Sequence, residues 1–215
     1  MPTEAFAAAS LGQVLRARLH SGELVAVKVQ YPGVARTIRA DVANLRRLLF
    51  PLRLSKNWDS LNAQFGEVQS VLESETDCEQ QAQSLREARA AFREDDAIVV
   101  PRVYDEHSTR RVLTMELLEG LSFKALLASN PAQQVRNWFG ELSWRASARL
   151  YFSRRLLYSD HNPGNYLFIE GGRLGFIDFG GLKRFSDAEW ARLRQAYAAM
   201  KSSDRAEVSH TSKRA

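Results

Sequence analysis

The chain has 215 residues, 45% of them hydrophobic, with 30 Lys and Arg against 25 Asp and Glu, a net charge of +5 and a pI near 9.5. That is enough apolar material for one sizeable core or for two small lobes around a shared cleft, and it marks a globular chain. The basic residues are interspersed with acidic ones, which suits a phosphate ligand or an anionic membrane surface and puts a nucleic-acid binder last.

Cys78 is the only cysteine, so the sequence holds neither a disulfide framework nor a thiolate metal site. A reducing, cytoplasmic setting is expected. No apolar run approaches the ~18 residues of a membrane span, and "MPTEAFAAASLG" lacks the basic start of a signal peptide. Membrane contact is therefore expected to be peripheral, at the inner face of a membrane.

In chain order, Gln13 to Leu19 and Glu23 to Tyr31 read as strands about a Ser21-Gly22 turn. After Pro32-Gly33, helical spacing runs from Val34 to Pro51. A longer helix is expected from about Ser60 to Phe92. "AIVVPRVYDEHSTRRVLTMELLEG" reads as a second hairpin leading through Gly120 to a hinge. Beyond it the pattern is helical, with a short helix near Phe123 to Leu127 and a long one from about Ala132 to Leu157. A loop at Tyr158 to Asn165 precedes "YLFIEGGRLGFID", a hairpin about Gly171-Gly172. Ser186 to Glu189 forms a capping box for a last helix with Trp190, Leu193, Tyr197 and Met200 on one face. The organisation expected is an N-lobe over 1–119, a C-lobe over 120–200 and a polar tail over 201–215. Ligands favour the cleft between such lobes.

In "LVAVKVQ" the strand period puts Lys28 with Ala26 and Gln30 on the face opposite Val25, Val27 and Val29, away from the core. Alone, Lys28 fits a solvated strand residue; Ala26 beside it leaves room for a flat ligand. "SDHNPGN" sets Asp160 and Asn165 at a D-x-x-x-x-N spacing, in which an aspartate can accept a hydroxyl proton while the asparagine ligates magnesium. An Asx-rich turn explains the same residues. Asp178, in "IDFG", fits either a turn cap or a ligand of the metal that bridges nucleotide phosphates. The order of the four residues Lys28, Asp160, Asn165 and Asp178 is the order that nucleotide phosphoryl transfer requires. No glycine-rich loop precedes them; "AAASLGQV" stands in its place, and no Walker-type loop occurs. Cys78 reads as a packing residue, His161 as a turn or phosphate contact, and the four tryptophans as core. Arg36, Arg39, Arg46, Arg47 and Arg53 form a basic face, which fits either solvent or anionic lipid.

"AAASLGQV", "VAVKVQYPGV", "ETDCEQQA", "VPRVYDEHSTRRVLTMELLEG", "SDHNPGN" and "FIDFG" together resemble the UbiB/AarF (ADCK) family of atypical kinase-like proteins, from Ala5 to about Met200. The resemblance implies an α+β, protein-kinase-like two-lobe fold with an antiparallel N-lobe sheet and a mainly helical C-lobe. It implies ATP or ADP bound with magnesium, ATPase or atypical kinase activity, and support of isoprenoid quinone or other lipid metabolism at membranes. The partners it implies are the nucleotide, a lipid or membrane surface, and proteins of such a pathway.

By residue, it implies Lys28 on the phosphates, Asp160 as catalytic aspartate, and Asn165 and Asp178 as metal ligands. Ala7, Ala8, Ala9, Ser10, Val14 and Ala26 would line the nucleotide, and the backbone from Glu116 to Leu118 would meet the adenine. Glu75 and Asp77 match the family's E-x-D motif. Three departures stand out: Gln81 occupies the position of the family's lysine-pairing glutamate, the chain starts beyond the family's Lys-x-Gly-Gln motif, and it ends one helix after "DFGG". A shortened member, a gene fragment and a degenerate copy all fit, and exposed apolar surface around Trp190 and Tyr197 is expected. Two function classes follow: a magnesium-dependent ATPase or atypical kinase, and a nucleotide-binding pseudokinase.

Overall fold

The computed structural model describes residues 5–9, 11–51, 58–95 and 97–201. The expected contact at Ser10, Arg53 of the basic face and 202–215 of the polar tail lie outside the described residues. The first lobe is built on a four-stranded antiparallel sheet in the order β1 (Ala5–Ala9), β2 (Gly12–Arg18), β3 (Leu24–Gln30) and β5 (Val112–Glu116). Expected as a loop, the alanine run is instead the edge strand β1, with Ala7, Ala8 and Ala9 paired to Val14, Gln13 and Gly12. Alanine has little strand preference, so backbone pairing with β2 rather than side-chain pattern makes it a strand. Gly12 belongs there for a steric reason: a Cβ would lie 2.3 Å from the carbonyl oxygen of Val29.

In β3 the period of two holds, but the face it assigns to the core needs correction. Lys28 stands opposite Val14 and Leu113, and Ala26 opposite Met115. Ala26, Leu113 and Met115 are all buried in the main hydrophobic cluster, so Lys28 projects from a core-facing side of the sheet. This is what brings its ammonium toward the second lobe.

Helix α1 (Val34–Leu49) matches expectation. The single long helix does not: the chain forms α2 (Trp58–Glu75) and α3 (Cys78–Ala91) with a break at Thr76-Asp77. Asp77 adopts an extended backbone and its Oδ1 accepts from the N–H groups of Glu79 and Gln80, at 3.0 and 3.3 Å, capping α3. A second correction concerns β4 (Ile98–Val99), which pairs in parallel with β8 (Arg173–Phe176) rather than closing a hairpin with β5. Only beyond Pro101 does the chain fold back on β5, through the Tyr104 N–H to Thr114 O bond at 2.9 Å and Glu116 N–H to Arg102 O at 2.8 Å.

The second lobe contains α4 (Phe123–Ala128), α5 (Gln133–Arg154), β6 (Leu156–Tyr158), the hairpin β7 (Tyr166–Ile169) and β8, then β9 (Leu182–Arg184) and α6 (Asp187–Lys201). The expected helix to Leu157 stops at Arg154 because Arg155 is left-handed, with φ 56°. Leu156 then pairs with Arg184 in the two-stranded β6–β9 sheet. The capping box at Ser186 forms as expected, with Ser186 N–H donating to Glu189 at 2.8 Å. One core runs through both lobes, from Ala82, Leu85 and Phe92 of the first to Leu142, Leu150 and Phe176 of the second. The tryptophans are not part of it: Trp144 is 75% exposed on α5, Trp138 is partly exposed, and Trp58 and Trp190 are only half-buried. Helical spacing identifies a face but not whether anything covers it. The expected apolar surface on α6 is present at Tyr197 and Met200, whereas Trp190 is partly covered by Tyr151 and Phe185.

Candidate nucleotide site

Both glycines after Phe179 and the strands around them place the cleft residues. Phe179 is buried against Tyr158 and Phe176, with ring centroids 5.3 and 6.0 Å away, and this anchors the aspartate before it. Tyr158 adds a hydrogen bond from its hydroxyl to the Asp178 carbonyl at 3.2 Å. Asp178 Oδ1 accepts from the Gly180 N–H at 2.8 Å, and Oδ2 accepts from Lys28 Nζ at 3.0 Å. The two residues are 150 positions apart in sequence, and their pair closes the cleft between the lobes.

Asp160 and Asn165 meet on the adjoining loop. Asn165 Nδ2 donates to Asp160 Oδ2 at 2.8 Å, while Asp160 Oδ1 accepts from the Asn162 N–H at 3.2 Å. The loop is tied down at its start, where Ser159 donates through its N–H and hydroxyl to the carbonyl of Gly181 at 3.1 and 2.6 Å. His161 meets the Tyr166 hydroxyl at 2.9 Å, which closes the turn. Lys28, Glu75, Gln81, Asp160, Asp178 and Gly12 all line one small space between the lobes.

Gln81, at the position of the family's lysine-pairing glutamate, makes no hydrogen bond to Lys28. Gln81 donates from Nε2 to the backbone carbonyl of Glu75 at 2.8 Å, so Lys28 pairs with Asp178 instead. Gln81 Oε1 and Gln30 Nε2 are both buried without a hydrogen-bond partner. Glu75, at the end of α2, lines the same space as the Lys28–Asp178 pair, whereas Glu79 is exposed. Burial raises the Glu75 pKa, and the charges of Asp178 and Asp160 add to the rise against the opposing effect of Lys28. Asp77 serves as cap and ion-pair partner of Arg110 at 3.2 Å, outside the cleft. Burial also pushes the Cys78 thiol up, in keeping with a packing residue.

Around this centre, Val14 and Ala26 share the Lys28 face of the sheet, and Ala7 to Ala9 lie one strand further out. At the hinge the Glu116 N–H is taken by Arg102 O, and Leu118 packs over Gly175. Gly12, Gly180 and Gly181 also border the cleft, the last so closely that a Cβ would lie 3.0 Å from Asp160 Cβ. Glycine pairs after a strand carry this signal in sequence, but it does not name the loop they must clear.

The donor set suits magnesium held jointly by protein and phosphate. Among the described residues no group of three or more His, Cys, Asp and Glu side chains gathers to hold a metal alone. Magnesium is commonly bound by one or two carboxylates together with substrate phosphates, and Asp178 offers such a carboxylate, with the Asn165 amide oxygen as the other expected donor.

Comparison with known proteins bears on the family and the fold. A family model described as the ABC1 atypical kinase-like domain matches residues 1–212. The atypical kinase COQ8B, mitochondrial, of Danio rerio is 32% identical over 97% of this chain and 33% of its own length. Atypical kinase COQ8, mitochondrial, of Saccharomyces cerevisiae is 32% identical over 84% of this chain and 36% of its own. An uncharacterised protein of Synechocystis, sll1770, is 35% identical over 81% of this chain and 30% of its own. Among solved structures, Rv3197 of Mycobacterium tuberculosis, in complex with erythromycin, superposes with a TM-score of 0.76 at 27% identity, over 99% of this chain and 54% of that one. The chain thus spans about a third of these curated relatives and about half of the solved one. With its kinase-like α+β fold and a match over nearly all its length, the chain belongs to the ABC1 atypical kinase-like family.

Proposed function

We propose that this chain binds ATP or ADP with magnesium in the cleft between its lobes and acts as an atypical kinase or ATPase. The single observation that carries the reading is the Lys28–Asp178 contact at 3.0 Å, which joins a strand of the first lobe to the strand end of the second beside Asp160 and Asn165. Lys28 neutralises phosphate charge. Asp160, oriented by Asn165 and the Asn162 N–H, is the acceptor for the proton of an attacking hydroxyl or water. Asp178 and Asn165 are the residues that would hold magnesium, which supplies neutralisation of the charge developing on the phosphoryl oxygens. Val14 and Ala26 form the apolar roof, Ala7 to Ala9 its edge, and the Glu116 to Leu118 backbone the adenine side. The lobe boundary lies at Gly120, where a Cβ would approach Phe168 O to 3.1 Å. By likeness to the COQ8 relatives, the pathway served is one of quinone or lipid metabolism, at a membrane surface.

A second reading, a pseudokinase that binds nucleotide and turns over little, is favoured by one feature. Gln81 is held by the Glu75 carbonyl, leaving Lys28 with no carboxylate partner on α3. Gln81→Glu discriminates: raised turnover favours a weakened enzyme, and unchanged turnover favours the pseudokinase. The binding reading itself is tested by thermal unfolding with ATP, ADP and magnesium, singly and together. A ligand bound by the native state must raise stability. A magnesium-dependent rise that Asp178→Asn abolishes is expected; no rise under any condition overturns both readings.

A further inference from the structure

On the far side of α3 from Lys28, a concavity of about 590 Å³ spans the two lobes, a size suited to a small molecule. Its floor is apolar, formed by Phe92, Ile98 and Val100, all buried. Five arginines surround it: Arg86, Arg89 and Arg93 from α3 and its end, Arg102 from the segment before β5, and Arg173 from β8.

Two acids, Asp95 and Asp105, also line the concavity, and both are already engaged. Asp105 pairs with Arg86. Asp95 accepts from Arg145 and Arg149 of α5, each at 3.4 Å, and from the Ala97 N–H at 3.1 Å. Arg102 is held by Glu23 at 2.6 Å and by the Tyr104 hydroxyl at 2.8 Å. Arg89 is likewise paired, whereas Arg93 and Arg173 have no acid partner among the described residues. Arg89 bonds the Val100 carbonyl and stands 3.7 Å from Glu116. Arg173 reaches only the carbonyl of Glu170, at 3.4 Å. Arg93 forms no hydrogen bond or ion pair among the described residues. A concave surface with surplus guanidinium groups over an apolar floor selects anions that accept from several planar donors at once, which is phosphate chemistry above all.

We propose that this concavity is a second anion site, distinct from the nucleotide cleft, which takes a phosphate-bearing ligand between Arg93 of the first lobe and Arg173 of the second. The ligand is either a soluble organic phosphate or a lipid phosphate headgroup. The proposal is independent of the nucleotide reading, since none of the residues involved lines the cleft with Lys28.

The test is calorimetric titration with inorganic pyrophosphate at fixed ionic strength, on the whole chain, its Lys28→Met variant and an Arg93→Gln, Arg173→Gln double variant. Both arginines are exposed, so the double variant keeps the fold, which an unchanged thermal transition verifies. The expected result is saturable binding that Lys28→Met retains and the double variant weakens at least tenfold. Co-sedimentation with phosphatidic acid vesicles, compared between the same two arginine forms, identifies the source: loss of sedimentation in the double variant assigns the headgroup, and equal sedimentation assigns the soluble phosphate. Absence of pyrophosphate binding, or equal binding by the double variant, overturns the proposal.

Discussion

Lys28→Met, Asp178→Asn and the two combined form a cycle that measures the contact between the lobes in the absence of any ligand. Lys28 is 13% and Asp178 33% exposed in their side chains, so the pair lies between the buried and surface regimes. At 3.0 Å and an effective dielectric near 20 the gross attraction is about 5 kcal/mol, most of it offset by desolvation and side-chain ordering. Exposed pairs contribute about 0.2–1 kcal/mol, and breaking a buried pair costs about 3–5. The geometry therefore sets the coupling at about 1–2 kcal/mol. Equilibrium urea unfolding of the four proteins gives it directly. Asn at 178 retains the acceptor for the Gly180 N–H, so that bond cancels from the cycle. Additive single effects, with coupling below about 0.3 kcal/mol, would refute the claim that this pair is a stabilising contact across the cleft.

Three other expectations rest on separate parts of the fold. Asp77→Ala removes the cap of α3 and the Arg110 ion pair, and should lower stability by about 1–2 kcal/mol in urea unfolding, while Asp77→Asn recovers most of the loss. Glu75 has a raised folded pKa, so the native state binds the extra proton and stability from this group falls as pH rises from about 4.5 through the raised value. Glu75→Gln should therefore raise the thermal midpoint at pH 7 and leave it nearly unchanged near pH 4; a stabilisation of equal size at both would contradict this. Gly12→Ala puts a methyl against the Val29 carbonyl, and should cost more than about 2 kcal/mol or leave the chain insoluble.

The hairpins β2–β3 and β7–β8 were legible because turn glycines separate residues that alternate with a period of two, and the capping box of α6 because its two partners are close in sequence. Lys28, Asp160, Asn165 and Asp178 were legible as an ordered set, and the fold gathers them: three line one space and Asn165 bonds Asp160. What sequence did not reveal depends on pairing at a distance. Alanines of β1 have no strand signature, and β4 is two residues long with a partner 76 positions away at Leu174. The break before α3 had a signal that apolar periodicity overrode: Asp77 followed by Gln80, an N-cap residue with an amide three positions on. The partner of Lys28 could not be read at all. It depends on the Gln81 amide turning to the Glu75 carbonyl, which side-chain identity does not dictate. The arginine-lined concavity was likewise invisible, because Arg173 lies 80 positions beyond Arg93 in the sequence.

Titration of ADP with magnesium into the wild-type chain and into Lys28→Met tests the proposal that the Lys28–Asp178 cleft takes a magnesium nucleotide. Saturable one-site binding by the wild type, dependent on magnesium and weakened at least tenfold, ~1.4 kcal/mol, by the loss of the lysine charge, is expected. Equal binding by both proteins, or none by the wild type, would contradict it.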